Sequence, residues 1–198
     1  MKQSNPNLRS LPRSTEPITQ QHFLKLALLN TRSLNNKALI LNEFITDNNL
    51  DFLCITETWH NHLDYFSLNQ ATPPGYTYID QPRPTGKGGG AASIHKKDLK
   101  IITISTPPVH SFEKIAFKLP GPAPLVIAVI YRPPKPNPSF LSDFSDLVAQ
   151  LSAISPSFLL LGDFDYHIDN RNCKQASDFL DLLDSHNLTQ HVKKKTNK

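Results

Sequence analysis

The chain is poor in cysteine: its two thiols, Cys54 and Cys173, stand far apart, each beside apolar neighbours. With no export signal evident, this excludes a disulfide-stapled scaffold and predicts reduced thiols inside the fold. No apolar run approaches the roughly 20 residues that a membrane-spanning helix requires. The opening MKQSNPNLRSLPRSTEPITQQ has no apolar stretch of the kind a signal peptide carries. An intracellular protein of the nucleus or cytoplasm is therefore expected, with no membrane partner. Strong charge of one sign is missing as well, the net charge being +4 and the pI about 9.0. Such an excess admits nucleic acid without requiring it, because affinity depends on clustering. Lys96-Lys97 and Lys193-Lys194-Lys195 are clusters, and on charge alone they read as solvated surface and tail.

What remains suits one globular domain: 198 residues, of which 38% are hydrophobic. Residues 1–21 are polar, hold three prolines and show no periodicity, so a disordered leader is expected there. The domain is expected over 22–192, with a basic tail at 193–198. Lys25–Asn30 (KLALLN) reads as a buried strand. Leu34, Ala38, Leu41 and Ile45 then share one helix face, with Ser33 as cap. Asp51–Thr56 is a second strand, so the chain opens as a βαβ unit with parallel pairing. The segment TPPGYTYIDQPRPTGKGGG reads as loop. AASIH, KIITIS, KIAFKL and LVIAVIY follow with spacers too short for helices, which favours antiparallel hairpins. A second helix fits Phe140–Ala153 with Ser139 as cap, and SFLLLGD is a buried strand. A third helix fits Ala176–His186, ended by Asn187 in the left-handed conformation. Mixed strands with few helices predict two packed sheets with the helices outside.

Four apolar strands end alike, in residues that bind metal or phosphate: Asn30, Glu57, Tyr131-Arg132 and Asp163. Ligand sites in α/β sheets gather at the carboxyl ends of strands. Glu57 and Asp163 would supply hard oxygen ligands of the kind Mg²⁺ takes, one or two carboxylates with water completing the shell.

The strings LLNTRSL, ITETW, GKGGGAASIH, YRPP and LGDFDYHID resemble, in order, the motifs of the endonuclease/exonuclease/phosphatase superfamily. Within it the chain resembles the apurinic-type endonuclease domain of LINE-like non-LTR retrotransposons, over about Phe23 to His191. The resemblance implies a DNase I-like two-sheet α/β sandwich with outer helices and metal-dependent DNA nicking. Mg²⁺ is the implied ion, with Mn²⁺ as a substitute. DNA is the implied partner of a monomeric domain, joined in the full-length parent by a reverse transcriptase. By the same resemblance Glu57 is the metal-binding glutamate and Asn30 lies by metal and phosphate. Tyr131 contacts the scissile phosphate, and Asp163 orients the attacking water.

Two departures accompany the likeness. Asp165 stands where the family's GDFN motif has asparagine, and an ionised carboxylate cannot donate to a phosphate oxygen. No Ser-Asp-His triplet supplies a general-base histidine; Asp184-Ser185-His186 has the letters in the wrong order. The domain is thus expected to be cut short, its last strand missing and its activity impaired. A non-catalytic DNA-binding or unstable remnant is the second reading, and a small-ester phosphatase of the superfamily the third.

Other residues carry paired readings. Asp163, Asp165, His167 and Asp169 alternate with apolar residues, which places them on one strand face; for His167 and Asp169 a polar strand edge is favoured over a metal or phosphate contact. His60 and His62 could reach substrate, but exposed loop residues are the favoured reading. The run Gly86-Lys87-Gly88-Gly89-Gly90 lacks Walker A spacing and is expected to let backbone pack closely at a strand start, while Lys87 and the nearby Arg83 are candidates to touch a DNA backbone. Trp59 reads as core or rim packing. Arg132 is a candidate phosphate contact, with a surface salt bridge as the equal alternative.

Overall fold

Two strands rich in Leu, Phe and Ile begin the fold in the computed structural model, which describes residues 23–63, 65–83, 88–135, 137–166, 168 and 173–192. The leader, the basic tail, Lys87, His167 and Asp169 lie outside the described residues. β1 (Leu26–Asn30) and β2 (Phe52–Thr56) pair in parallel, Asn30 opposite Thr56, and α1 (Ala38–Asp47) connects them. After α2 (Phe66–Ala71), β3 (Tyr76–Gln81) and β4 (Ala91–Lys96) form an antiparallel pair, and the sheet order is β1-β2-β4-β3. β5 (Ile102–Thr103), β6 (Glu113–Leu119) and β7 (Leu125–Tyr131) form an antiparallel meander. α3 (Phe140–Ile154) then carries the chain to β8 (Phe158–Asp163), parallel to β7, and α4 (Lys174–Ser185) follows.

The sheets pack face to face with helices on both outer faces, the expected sandwich. Strand parity explains the layers. Leu53 and Ile55 of β2 join Leu41, Ile45 and Leu68 under α1 and α2. Phe52 and Cys54 point the other way, toward Phe117, Ile127 and Val129 of the second sheet. On β7, Val126, Ala128 and Ile130 meet Phe140, Phe144 and Phe179 of the helices on that side. With both faces covered, central strands must be apolar throughout, which is why they read as continuous hydrophobic runs. Burying each large side chain contributes about 2 kcal/mol.

Several local expectations need correction. α1 starts at Ala38, not near Leu34; Ser33 has φ +88°, and its Oγ accepts from Asn35 N instead of capping the helix. Leu34 is buried all the same, in the turn ahead of the helix. Ser139 does sit at the start of α3 but makes no capping hydrogen bond through its side chain. β3 lies inside the segment read as loop, its Tyr76 and Tyr78 hydroxyls donating to Leu50 O and Asn69 Oδ1. KIITIS contributes only Ile102–Thr103 to a strand. Lys96 is not free surface: its Nζ pairs with Asp51 Oδ1 at 2.8 Å. Asn187 does adopt the left-handed conformation after α4, with φ +54°. Cys54 is buried and Cys173 half-buried, both as free thiols, and burial pushes the Cys54 thiol up to about 12. Among the described residues no helix is long and apolar enough to cross a membrane.

Gly162 is the tightest point of the second sheet, because a Cβ there would collide with the Ile130 carbonyl oxygen on β7. That neighbour is backbone held in a ladder and cannot turn aside. Gly162→Ala is expected to destabilise the fold by roughly 3 kcal/mol, read from urea unfolding with the slope unchanged. A loss under about 1 kcal/mol would show the two strands to be less rigidly held than argued.

Candidate active site

The carboxyl ends of β1, β2, β7 and β8 meet at one rim, since the parallel pairs β1/β2 and β7/β8 face each other across the sandwich. Parity aims the strand-end side chains. Asn30 follows Leu26 and Leu28, Asp163 follows Leu159 and Leu161, and Tyr131 follows Ile127 and Val129, all on the face between the sheets. By the same count Glu57 would turn toward the helices. It does not, because its backbone is left-handed at φ +54° and swings the carboxylate to the rim. A non-glycine residue there is strained and must be held by its surroundings.

Asn30 joins the two sheets. Its Nδ2 donates to Glu57 Oε1 at 2.8 Å and to Asp163 Oδ2, while its Oδ1 accepts from Arg32 N at 3.2 Å. The Arg32 contact fixes the amide's orientation, because an amide oxygen accepts only. Asn30 therefore presents its nitrogen, not its oxygen, to the carboxylates, and bridges them as a donor. Glu57 takes a second hydrogen bond on Oε2, from Trp59 Nε1 at 3.3 Å. Trp59 is half exposed and stands at the rim, as its packing reading allowed.

Tyr131 is buried beneath this pair. Its hydroxyl is pushed up to about 12, first by burial and then by the Glu57 carboxylate, with Glu113 and Asp163 adding and Arg83 opposing. It stays protonated across the physiological range and can donate through its O–H. Arg83 Cζ lies 5.9 Å from the Tyr131 ring centroid, and its Nε contacts Glu113 Oε1 at 2.5 Å. Glu113 also accepts from Gly90 N and faces Tyr131 in the β6–β7 register. Three carboxylates thus surround Tyr131 against one guanidinium. Glu113 was not legible in the sequence, because only strand register brings it here.

Arg132 is not at the surface, where its salt-bridge reading would put it. It is buried, it makes no salt bridge among the described residues, and its guanidinium stacks 4.3 Å from the Tyr166 ring centroid and 5.1 Å from that of Phe140. Its Nη1 donates to the carbonyls of Phe164 and Asp165, at 3.2 and 3.4 Å, so it props the turn after β8 from within. The polar alternation from Asp163 onward is also corrected. β8 ends at Asp163, Asp165 takes φ +49°, and its N donates to Asp163 Oδ1 at 3.3 Å. Phe164 and Tyr166 both pack on the helices' aromatic cluster. His186 lies on the outer layer with its Nε2 against Ser145 Oγ of α3, at 2.9 Å.

His60 departs most from its reading as an exposed loop residue. It is 8% exposed, with Nδ1 at 2.7 Å from Thr58 Oγ1 and Nε2 at 2.9 Å from Asp80 Oδ2. Its ring tilts against Tyr65. No signal in the sequence joins His60 to Asp80, since β3 itself was unread. The glycine run does permit close packing: a Cβ on Gly90 would collide with Thr58 Oγ1.

The donor set fits a hard divalent cation. Two carboxylates are bridged by one amide, and Mg²⁺ takes one or two carboxylates with several waters. Among the described residues no group of three or more His, Cys, Asp and Glu side chains is arranged to hold a metal.

No curated protein matches the chain by sequence. Among solved structures, the AP endonuclease LMAP from Leishmania major is similar in fold (TM-score 0.63, 17% identity, covering 83% of this chain and 67% of that one). So is the endonuclease domain of TRAS1, a telomere-specific non-LTR retrotransposon (0.60, 11% identity, 82% and 70%). A 3′ phosphatase, NExo from Neisseria bound to a product DNA hairpin, scores 0.58 at 17% identity, over 82% and 71%. Identities this low speak for the fold alone. The sequence profile of the Endonuclease/Exonuclease/phosphatase family matches residues 27–192, and with its fold this places the chain in that family.

Proposed function

We propose that the protein is a Mg²⁺-dependent phosphodiester hydrolase that nicks DNA, derived from a non-LTR retrotransposon. The observation that carries this reading is the Asn30 amide bridging Glu57 and Asp163 at the joined carboxyl ends of the two parallel strand pairs. Glu57 would hold the ion, with Asn30 keeping the carboxylate in register. When bound, the ion would offset charge developing on the phosphate and the leaving oxygen. The Tyr131 hydroxyl donates toward a phosphate oxygen, and Asp163 orients the water that attacks. Mn²⁺ would substitute for Mg²⁺.

A phosphatase reading draws on the fold shared with the Neisseria enzyme. The open rim favours a polymer over a small ester, because Asn30 and Trp59 are exposed rather than enclosed. Supercoiled plasmid incubated with Mg²⁺, with and without chelator, tests the proposal. Metal-dependent conversion to open circles is expected; phosphate release from small esters without nicking would replace it with the phosphatase reading. A mobility shift with no turnover would leave a DNA-binding remnant.

Asp165 bears on the rate. Its carboxylate adds negative charge two residues along the chain from Asp163 and cannot donate to a phosphate oxygen, whereas an amide can. Repulsion at a few ångströms in a partly dry site is on the order of several kcal/mol before screening. Asp165→Asn is therefore expected to raise nicking by about tenfold or more. No gain in an active preparation would remove Asp165 as a cause of slow turnover.

A further inference from the structure

We propose that His60, anchored by Asp80, is a positioning residue that sets the Glu57 carboxylate by holding the Thr58 hydroxyl. The inference rests on the reading of Glu57 as the ion's carboxylate.

Glu57 reaches the rim only through a left-handed backbone, and Trp59, whose indole N–H donates to the same carboxylate, is left-handed too, at φ +57°. Two such residues flanking Thr58 cannot hold that shape alone. The backbone supports are Ser33 N to Glu57 O at 2.8 Å, Leu34 N to Thr58 O at 3.0 Å, Thr58 N to Gly90 O at 3.3 Å, and Trp59 N to Gly89 O at 2.9 Å. These fix the path of the chain, and the Thr58 side chain adds a further tie between the two left-handed residues. The Thr58 hydroxyl sits where Gly90 offers no Cβ, and it meets His60 Nδ1 at 2.7 Å. A carboxylate only accepts, so His60 Nε2 donates to Asp80 Oδ2 at 2.9 Å, which sets the ring from the far side. Tyr65 closes the ring's face. The chain of contacts runs from Asp80 on β3 through His60 and Thr58 to Glu57 and Trp59.

A merely structural histidine would affect folding and leave ion affinity alone. A partner that orients a metal-binding carboxylate typically changes metal affinity about 10–100-fold when lost. Thr58→Val is close in size, puts a methyl where the hydroxyl was, and leaves His60 Nδ1 without its donor. Titration calorimetry of the full chain with Mn²⁺ as the probe, beside thermal unfolding, reads both effects. Wild type is expected to bind, Glu57→Gln to lose binding, and Thr58→Val to remain folded at a somewhat lower unfolding midpoint and to bind about tenfold more weakly. Unchanged affinity in Thr58→Val, with Glu57→Gln impaired, overturns the role of His60 while the site reading stands. Wild type that does not bind, or binds no better than Glu57→Gln, removes the site reading and this inference with it. Should Thr58→Val fail to fold, two His60 variants decide. His60→Asn, whose amide oxygen lies about where Nδ1 does, is expected to retain more affinity than His60→Gln, which reaches only Asp80. Equal affinities would overturn the role.

Discussion

Glu57→Gln is expected to lower metal-dependent nicking on the order of 10³-fold while leaving the protein folded. Glutamine keeps the shape and loses the charge. It also turns one of its two contacts hostile. With its oxygen toward the Asn30 amide, its nitrogen faces Trp59 Nε1, a donor against a donor; rotated, it faces the Asn30 amide instead. Folding should not suffer in metal-free buffer, because the substitution relieves repulsion between two carboxylates that share one amide. The unfolding midpoint without Mg²⁺ is therefore expected to hold or rise, and the increase that Mg²⁺ gives the wild type by mass action should vanish. Near-normal nicking by the variant, or a Mg²⁺-induced rise equal to wild type, would remove Glu57 from the ion's shell.

The second large effect belongs to Asp163→Asn. Asp163 accepts from Asn30 through Oδ2 and from Asp165 N through Oδ1, at 3.3 Å for the latter. An amide at this position must point its nitrogen at one of those two donors, so the turn after β8 loses a support as well as a charge. Losing a group that orients and polarises the attacking water typically forfeits 10²–10⁴-fold in rate, and a fall of about 10³-fold in nicking is expected. Arg132 still props the turn through the Phe164 and Asp165 carbonyls, and Arg132 N still donates to Asp163 O at 2.9 Å, so the fold survives. The effect should appear in the rate constant more than in DNA affinity, measured by single-turnover nicking beside a mobility shift. A loss confined to DNA binding would reassign Asp163 from the reacting water to the nucleic-acid surface.

The central strands were legible because burial on both faces forces unbroken apolar runs, and KLALL, FLCIT, LVIAVI and FLLLG have no other economical reading. α3 and α4 were legible because Phe140, Phe144, Leu147, Val148 and Leu151, and then Phe179 and Leu183, recur at helical spacing toward one cluster. β3 was not, since its half-buried edge position tolerates YTYIDQ, and proline and glycine on both sides made the whole segment look like loop. Ser33 misled for a local reason: it obeys the capping preference in type, yet its N–H donates to Glu57 O and that of Leu34 to Thr58 O, which ties it into the loop ahead of the helix.

Within the site, the sequence by itself determined which strand ends carry Asn30, Tyr131 and Asp163, and strand parity then determined the face they share. Tertiary structure alone decided the rest. Glu57 points the wrong way by parity and reaches its partners only through a left-handed turn, which no residue preference at that position announces. Arg132 became an internal prop rather than a surface charge because two aromatic rings from distant elements enclose it. His60 and Asp80, Arg83 and Glu113 are pairs separated by an entire strand or sheet. Periodicity records what a residue's own element needs, whereas pairs such as these exist only once two elements have packed.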